Sequence, residues 1–321
     1  MNIIENQKLS DIFWYRIGGI AKYVAEISSK EDFYETMSFI KKNNITKIFF
    51  AGTGTNLIFS DDFFDGIVLQ FVPNNDGIRN ENENSLSVFA GQSLDQVINF
   101  GFDKNLIGLE WAGGLPGTVG AAVRGNVGAF GGEMKDVFIN AHCVKLSENG
   151  EYEEIILTKE DMNFSYRSSR VKSEKLIVLG ALFELKRADS EDIFHAREIY
   201  NQNIKYRKTH HPLEYPNCGS VFKNISEPSE VESVLRVWPD VEEKVRNNWH
   251  GKVSMGYIIG RLGFTGLRVG GAQISDKHQN FIVNLNNATS HDVKKIIVNI
   301  EKTVQSTFGF TPEIEVEVVA S

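Results

Sequence analysis

Cysteine is scarce: the chain has two in 321 residues, Cys143 and Cys218, with no CxxC spacing between them. That excludes a disulfide-stapled scaffold and a thiolate cluster, and a reducing cytoplasm is the compartment to expect. Long apolar runs are missing too. None approaches the roughly 18 residues of a membrane span, and the opening MNIIENQKLSD has no basic-then-apolar signal pattern, so no membrane insertion is expected. Basic residues are outnumbered, 34 Lys and Arg against 42 Asp and Glu, for a formal charge of −8. Without a global positive field nucleic acid is not an expected partner, and any anionic ligand must be held by local groups. His278 has no second His, Cys or carboxylate at ligand spacing, so no metal is predicted.

What is present is ordinary globular composition, 41% hydrophobic and 24% charged, in a chain long enough for more than one core. Ser29-x-x-Asp32 followed by Phe33, Met37 and Ile40 predicts a capped helix over about 30–44. Next, Lys47 to Ala51 reads as a buried strand running into Gly52-Thr53-Gly54-Thr55-Asn56. From about 66 to 185, short β-like runs (66–72, 86–90, 175–185) accompany one helix starting at Ser93-x-x-Gln96. Inside that region lie Gly113 to Ala122 and Gly125 to Gly132, too rich in glycine for an amphipathic helix; close backbone approach to something is implied. From about 206 the pattern changes to helices near 253–261 and 290–307, a strand 281–284 and a last strand near 313–319. Segment 225–252 is the most loop-like part of this tail. Val293, Ile296, Ile297, Ile300 and Val304 make the core stripe of the long helix, and Gly309 can end it.

Glycine lets backbone N–H groups converge on phosphate oxygens, so both glycine-rich segments are candidate pyrophosphate cradles. Gly52-Thr53-Gly54 alone reads equally as a tight turn. Leu57 stands where a third glycine would complete GxGxxG, which disfavours an ordinary dinucleotide fold. Read in order, Arg16 to Ala21, Gly52 to Asn56 with Asp61, and Gly108-Leu109-Glu110 through Gly132 resemble the three FAD-binding segments of the UDP-N-acetylenolpyruvoylglucosamine reductases, the MurB family. The resemblance continues through Phe164 to Ser169, Cys218 to Asn224, Gly270 to Ala272, Lys277 to Asn284 and a terminal Glu-Val pair, and so covers nearly the whole chain.

The resemblance implies an α+β protein with a vanillyl-alcohol-oxidase/PCMH-type FAD-binding domain in two subdomains, 1–65 and 66–205, and a C-terminal α/β substrate-binding domain, 206–321. The short stretch from Arg167 to Ser220 matches the shorter subclass, which lacks an extra tyrosine-bearing loop. The implied activity is NADPH-dependent reduction of UDP-N-acetylglucosamine enolpyruvate through non-covalent FAD, in peptidoglycan precursor synthesis, by a monomer acting on small molecules. Family matching places Arg16, Gly52, Thr53, Gly54, Thr55, Asn56, Leu57, Gly114, Pro116, Gly117, Thr118, Gly120, Ala121, Asn126, Gly128 and Ala129 at the cofactor, and Lys223, Asn224 and Arg207 at the substrate.

Three residues are implied in catalysis. Ser220 matches the family's proton donor; as an isolated serine after glycine it reads as a turn residue. Arg167 matches an arginine whose planar fork suits the substrate carboxylate and the enolate that develops from it. Glu315 matches the C-terminal glutamate, while alternation alone puts Glu313, Glu315 and Glu317 on one solvated face and only register selects among them. Departures from the family pattern are Trp14, Thr55 and Ala121 on the cofactor side and His211, Ile225 and Thr265 on the substrate side. Two alternatives stand beside the reductase reading. One is an FAD oxidase or dehydrogenase of the same fold, disfavoured because the flavin loops hold no His or Cys for a tether. The other is a nonenzymatic nucleotide-sugar binder, disfavoured by the Arg167, Ser220 and Glu315 set.

Overall fold

The computed structural model describes residues 1–147 and 151–320. The chain divides into two compact units: the first holds Met1–Gln7, Ala21–Thr53 and the described part of Phe64–Thr209, and the second holds Lys8–Ile20, Gly54–Phe63 and the described residues from His210 on. The sequence boundary at 65/66 falls inside the strand Phe64–Phe71, and that at 205/206 inside the helix Ser190–His210. The chain also enters the second unit twice before its tail. The cause is long-range pairing: Leu57–Phe59 lies parallel to Glu317–Val319, and the Asn284 side-chain amide donates to the carbonyls of Tyr15 and Arg16, both at 3.2 Å. Ser321, the last residue of the expected third domain, lies outside the described residues.

In the first unit, Ile20–Ile27 and Ile48–Ala51 run parallel to a central strand, Phe64–Phe71, and Asn2–Lys8 lies at the edge beyond Ile20–Ile27. The central strand is buried along nearly its whole length, as its apolar run requires when both faces are covered. The predicted helix forms over Lys30–Lys42, where the Ser29 hydroxyl accepts from the Asp32 N–H (3.1 Å) and Phe33, Met37 and Ile40 are buried. A second, antiparallel sheet is ordered Tyr152–Thr158, Phe138–Leu146, Ile177–Glu184, Ser85–Phe89, Ile78–Asn82. Ser93 and Gln96 close a capping box on the helix Leu94–Asp103. Against the expectation from glycine density, Val119–Arg124 is a short helix. Its Gly120 packs so close to the sheet that a Cβ there would lie 3.0 Å from that of Ala90.

In the second unit an antiparallel sheet is ordered Asn217–Ser220, Phe281–Asn284, Ala272–Ile274, Arg268–Val269. The helix Ser290–Phe308 covers it with the expected stripe, Val293 to Val304, fully buried, and ends at Gly309 in the left-handed region (φ +86°). Asp61 caps this helix from afar, accepting from the Ser290 N–H (2.7 Å) and hydroxyl (2.8 Å). Two expectations fail. Segment 225–252 is largely helical, with Pro228–Val237 and Glu242–Asn247, because Val231, Val234, Val241 and Val245 make a buried side behind its polar residues. The last strand is short, Glu317–Val319, and Ile314 makes only an isolated bridge to Phe222.

Candidate active site

Within the second unit, Ser220 stands on a β-bulge. Asn217 faces Val283 and Ser220 faces Phe281, so one strand carries an extra residue, and Gly219 absorbs the kink at φ +78°. Asn217 braces the turn: its amide donates to the Tyr215 carbonyl (2.9 Å) and its oxygen accepts from the Gly219 N–H (3.0 Å). Downstream, buried Asn280 clasps Phe222 from both sides, donating to its carbonyl (2.7 Å) and accepting from its N–H (3.0 Å). Cys218, beside the bulge, is fully buried, and burial pushes its thiol up to about 12, which makes it an inert packing group.

The bulge brings together residues far apart in sequence. A Cβ on Gly219 would lie 3.8 Å from the Thr55 carbonyl oxygen, so the strand bearing Ser220 runs beside the loop Gly54–Leu57. Glu315 joins them through its backbone, its N–H donating to the Val221 carbonyl (2.8 Å) and its carbonyl accepting from the Asn56 amide (3.4 Å). The three glutamates are no longer equivalent. Glu313 is exposed and ion-paired with Lys223, Glu317 sits in the parallel ladder opposite Leu57, and Glu315 is half-buried next to the bulge. Lys223, offered by the sequence as a substrate ligand, is thus engaged with Glu313, and the Asn224 side-chain oxygen accepts from the Met255 N–H (3.1 Å). Arg16 is exposed, with φ +56°.

The first unit holds the other expected residues. Gly52 abuts Thr118 so tightly that a Cβ would come within 2.5 Å of its Oγ1. The N–H groups of Val119 and Gly120 donate to the carbonyls of Gln92 (2.8 Å) and Ala90 (2.9 Å), so the start of the short helix is tied to the sheet. By contrast, among the described residues the N–H groups of Thr53, Gly54, Thr55 and Asn56 donate to no protein acceptor. Those groups, with Gly54 at φ +74°, fit phosphate oxygens of a dinucleotide such as FAD. Gly114 and Gly117 also have positive φ, +67° and +118°; Pro116 is exposed on the turn between them, and Ala121 is exposed on the short helix.

Asn126 is an internal brace. Its amide donates to Glu133 (2.9 Å) and to the Ser165 carbonyl (3.1 Å), and its oxygen accepts from the Lys135 N–H (3.0 Å). Arg167 sits in the tight turn that Ser165 and Ser168 close with two reciprocal 3.1 Å bonds, at φ +56°, an unusual conformation for a side-chain-bearing residue. Its guanidinium donates to the Gly128 carbonyl (3.2 Å) and lies 5.1 Å from the Tyr166 ring. Sequence reasoning missed Glu133. Burial opposes its ionisation, but bonds from Lys135 and Asn126 and the charge of Arg167 hold its carboxyl below the usual range. It also missed Phe130, an exposed aromatic between glycines. Arg207 is buried in the first unit, its Nε donating to the Gly113 carbonyl (3.0 Å).

Comparison with known proteins identifies the two parts of the chain. Residues 21–155 match the family model for an FAD binding domain, and residues 211–319 match that for the UDP-N-acetylenolpyruvoylglucosamine reductase C-terminal domain. The reductase of Caldicellulosiruptor bescii is 35% identical over 319 residues, covering 99% of this chain and 91% of the relative. That of Fusobacterium nucleatum is 32% identical over 319 residues, covering 99% and 100%. The crystal structure of UDP-N-acetylenolpyruvylglucosamine reductase (MurB) from Thermus caldophilus matches with a TM-score of 0.70 and 25% identity, covering 99% of this chain and 98% of that one.

Proposed function

We infer that this chain, which belongs to the UDP-N-acetylenolpyruvoylglucosamine reductase family, reduces UDP-N-acetylglucosamine enolpyruvate to UDP-N-acetylmuramate with NADPH, as a cytoplasmic monomer of the shorter subclass. Bound FAD supplies hydride transfer from NADPH to the enolpyruvyl carbon, chemistry that no side chain provides. The loop Thr53 to Asn56 would hold it through main-chain N–H groups, and Gly52 and Gly114 to Thr118 would line it.

The remaining tasks fall to side chains. Hydride arriving at the substrate's methylene carbon leaves negative charge on the neighbouring carbon and its carboxylate. Arg167, oriented in advance by Gly128 and Tyr166, pairs with that carboxylate and stabilises the enolate. Ser220 gives its proton to the carbon, a role worth about 10²–10⁴ in rate. Glu315 polarises the enol. Lys223 and Asn224 contact the UDP-sugar, with Lys223 exchanging Glu313 for substrate.

The observation that carries this reading is the bulge at Asn217 to Ser220, which sets Ser220 beside the Thr55 loop with Glu315 attached to the same strand. A direct test is NADPH consumption by the purified protein with the enolpyruvyl nucleotide, with the product identified by mass. NADPH oxidation coupled to a two-hydrogen mass gain is expected, and oxidation without that product would refute the assignment.

A further inference from the structure

We propose that Arg207 is a resident cation of the FAD site and that Phe130 is its positioning residue. The inference rests on the cofactor reading above and moves Arg207 from substrate to cofactor. Arg207 is only 7% exposed, its Nε is spent on Gly113, and its Nη2 is buried with no acceptor among the described residues. Asp95, the acid whose charge reaches it, uses its Oδ1 on the Gly114 N–H (3.1 Å) and the Tyr200 hydroxyl (3.1 Å). A guanidinium stays charged even when burial disfavours it. A buried charge with an orphaned N–H is strongly unfavourable unless an anionic or carbonyl oxygen meets it.

The surroundings indicate which ligand. The Arg207 stem packs on the glycine turn assigned to the cofactor, where a Cβ on Gly114 would lie 3.5 Å from Arg207 Cδ. Phe130 covers the other side, its ring 5.1 Å from the guanidinium carbon and edge-on to Tyr206 at 5.3 Å. Phe130 is 47% exposed and held at φ +51°, at the tip of a hairpin between Gly128–Ala129 and Gly132–Glu133. Glycine or asparagine would make that turn without strain, and a solvent-facing ring adds little to the core. What the ring does contribute is a wall that confines the guanidinium to one direction. The ligand group is an electron-rich oxygen of FAD, on its pyrophosphate or on its isoalloxazine ring.

The test uses the full chain freed of flavin and titrated with FAD and, separately, with riboflavin. Arg207→Gln should weaken FAD binding roughly 10- to 100-fold, the worth of a charged hydrogen bond. The melting temperature of the flavin-free protein should stay the same or rise, because the change removes a buried Nη2 that has no acceptor among the described residues. Phe130→Leu should weaken FAD binding less, and Phe130→Tyr should restore it. Loss confined to FAD identifies the pyrophosphate as the partner; equal loss with riboflavin identifies the ring. Unchanged FAD affinity in Arg207→Gln, or a lowered flavin-free melting temperature that accounts for the loss, overturns the proposal. If the wild-type chain binds no FAD, the cofactor reading falls first and takes this inference with it.

Discussion

Replacing Asn280 with alanine tests whether Ser220 is held in place by the clasp on Phe222. Asn280 is 3% exposed and Phe222 1%, so neither group of the Phe222 peptide can turn to water when the amide is removed. The variant leaves one buried N–H and one buried C=O without partners, each at a cost of about 1–3 kcal/mol. The expected destabilisation of the second unit is therefore about 2–6 kcal/mol, reduced to the extent that water enters the space left by the amide. Urea unfolding monitored through Trp14, Trp238 and Trp249, all in the second unit, measures it, and hydrogen exchange at the Phe222 amide localises it. Since Phe222 is two residues past Ser220, reduction of the enolpyruvyl substrate should slow while flavin reduction by NADPH is spared. A stability change under about 0.5 kcal/mol, the level of an ordinary surface substitution, would mean that the Asn280 amide does not hold Phe222.

Two further perturbations address the cofactor loop and the pH response. Gly52→Ala places a methyl 2.5 Å from Thr118 Oγ1 and should cost about 1–3 kcal/mol by overpacking and weaken FAD binding; Thr118→Ala should rescue it in part, and simple additivity of the two would contradict the contact. Burial lowers the pKa of His278, which packs on Gly256, Phe281 and the ring of His211. Its neutral form therefore contributes stability that is complete above the ordinary imidazole pKa of about 6.5 and is lost as pH falls toward the lower folded value. Wild type should lose more stability than His278→Gln between about pH 7 and pH 5, and parallel pH profiles would contradict this.

Local signals were the legible ones. Ser29 and Ser93 cap helices by side-chain bonds to residues three further on, and the apolar spacing of the last helix marks its buried face. Gly52 stands out as part of a glycine-rich turn after a strand, whereas Ser220 and Glu315 are singled out by family likeness alone. What stayed hidden depends on pairing across the chain. Nothing near Leu57 announces Glu317 as its partner, and nothing near Ser220 shows that its strand gains a residue opposite Phe281. The helices within 225–252 were obscured because their apolar positions are few and separated by polar residues. Arg207 sits close in sequence to the substrate motif, and no local pattern shows that its side chain turns to the Gly113 carbonyl.

If Ser220 delivers the proton in an FAD-mediated reduction of an enolpyruvyl nucleotide, its loss must slow the second half-reaction and spare the first. An anaerobic experiment separates the two half-reactions: reduce the flavoprotein with NADPH, add UDP-N-acetylglucosamine enolpyruvate, and follow flavin reoxidation in wild type and Ser220→Ala. Equal reduction by NADPH is expected in both proteins, with reoxidation slowed by about 10²–10⁴ in the variant. Reoxidation of Ser220→Ala at the wild-type rate would contradict this role of Ser220.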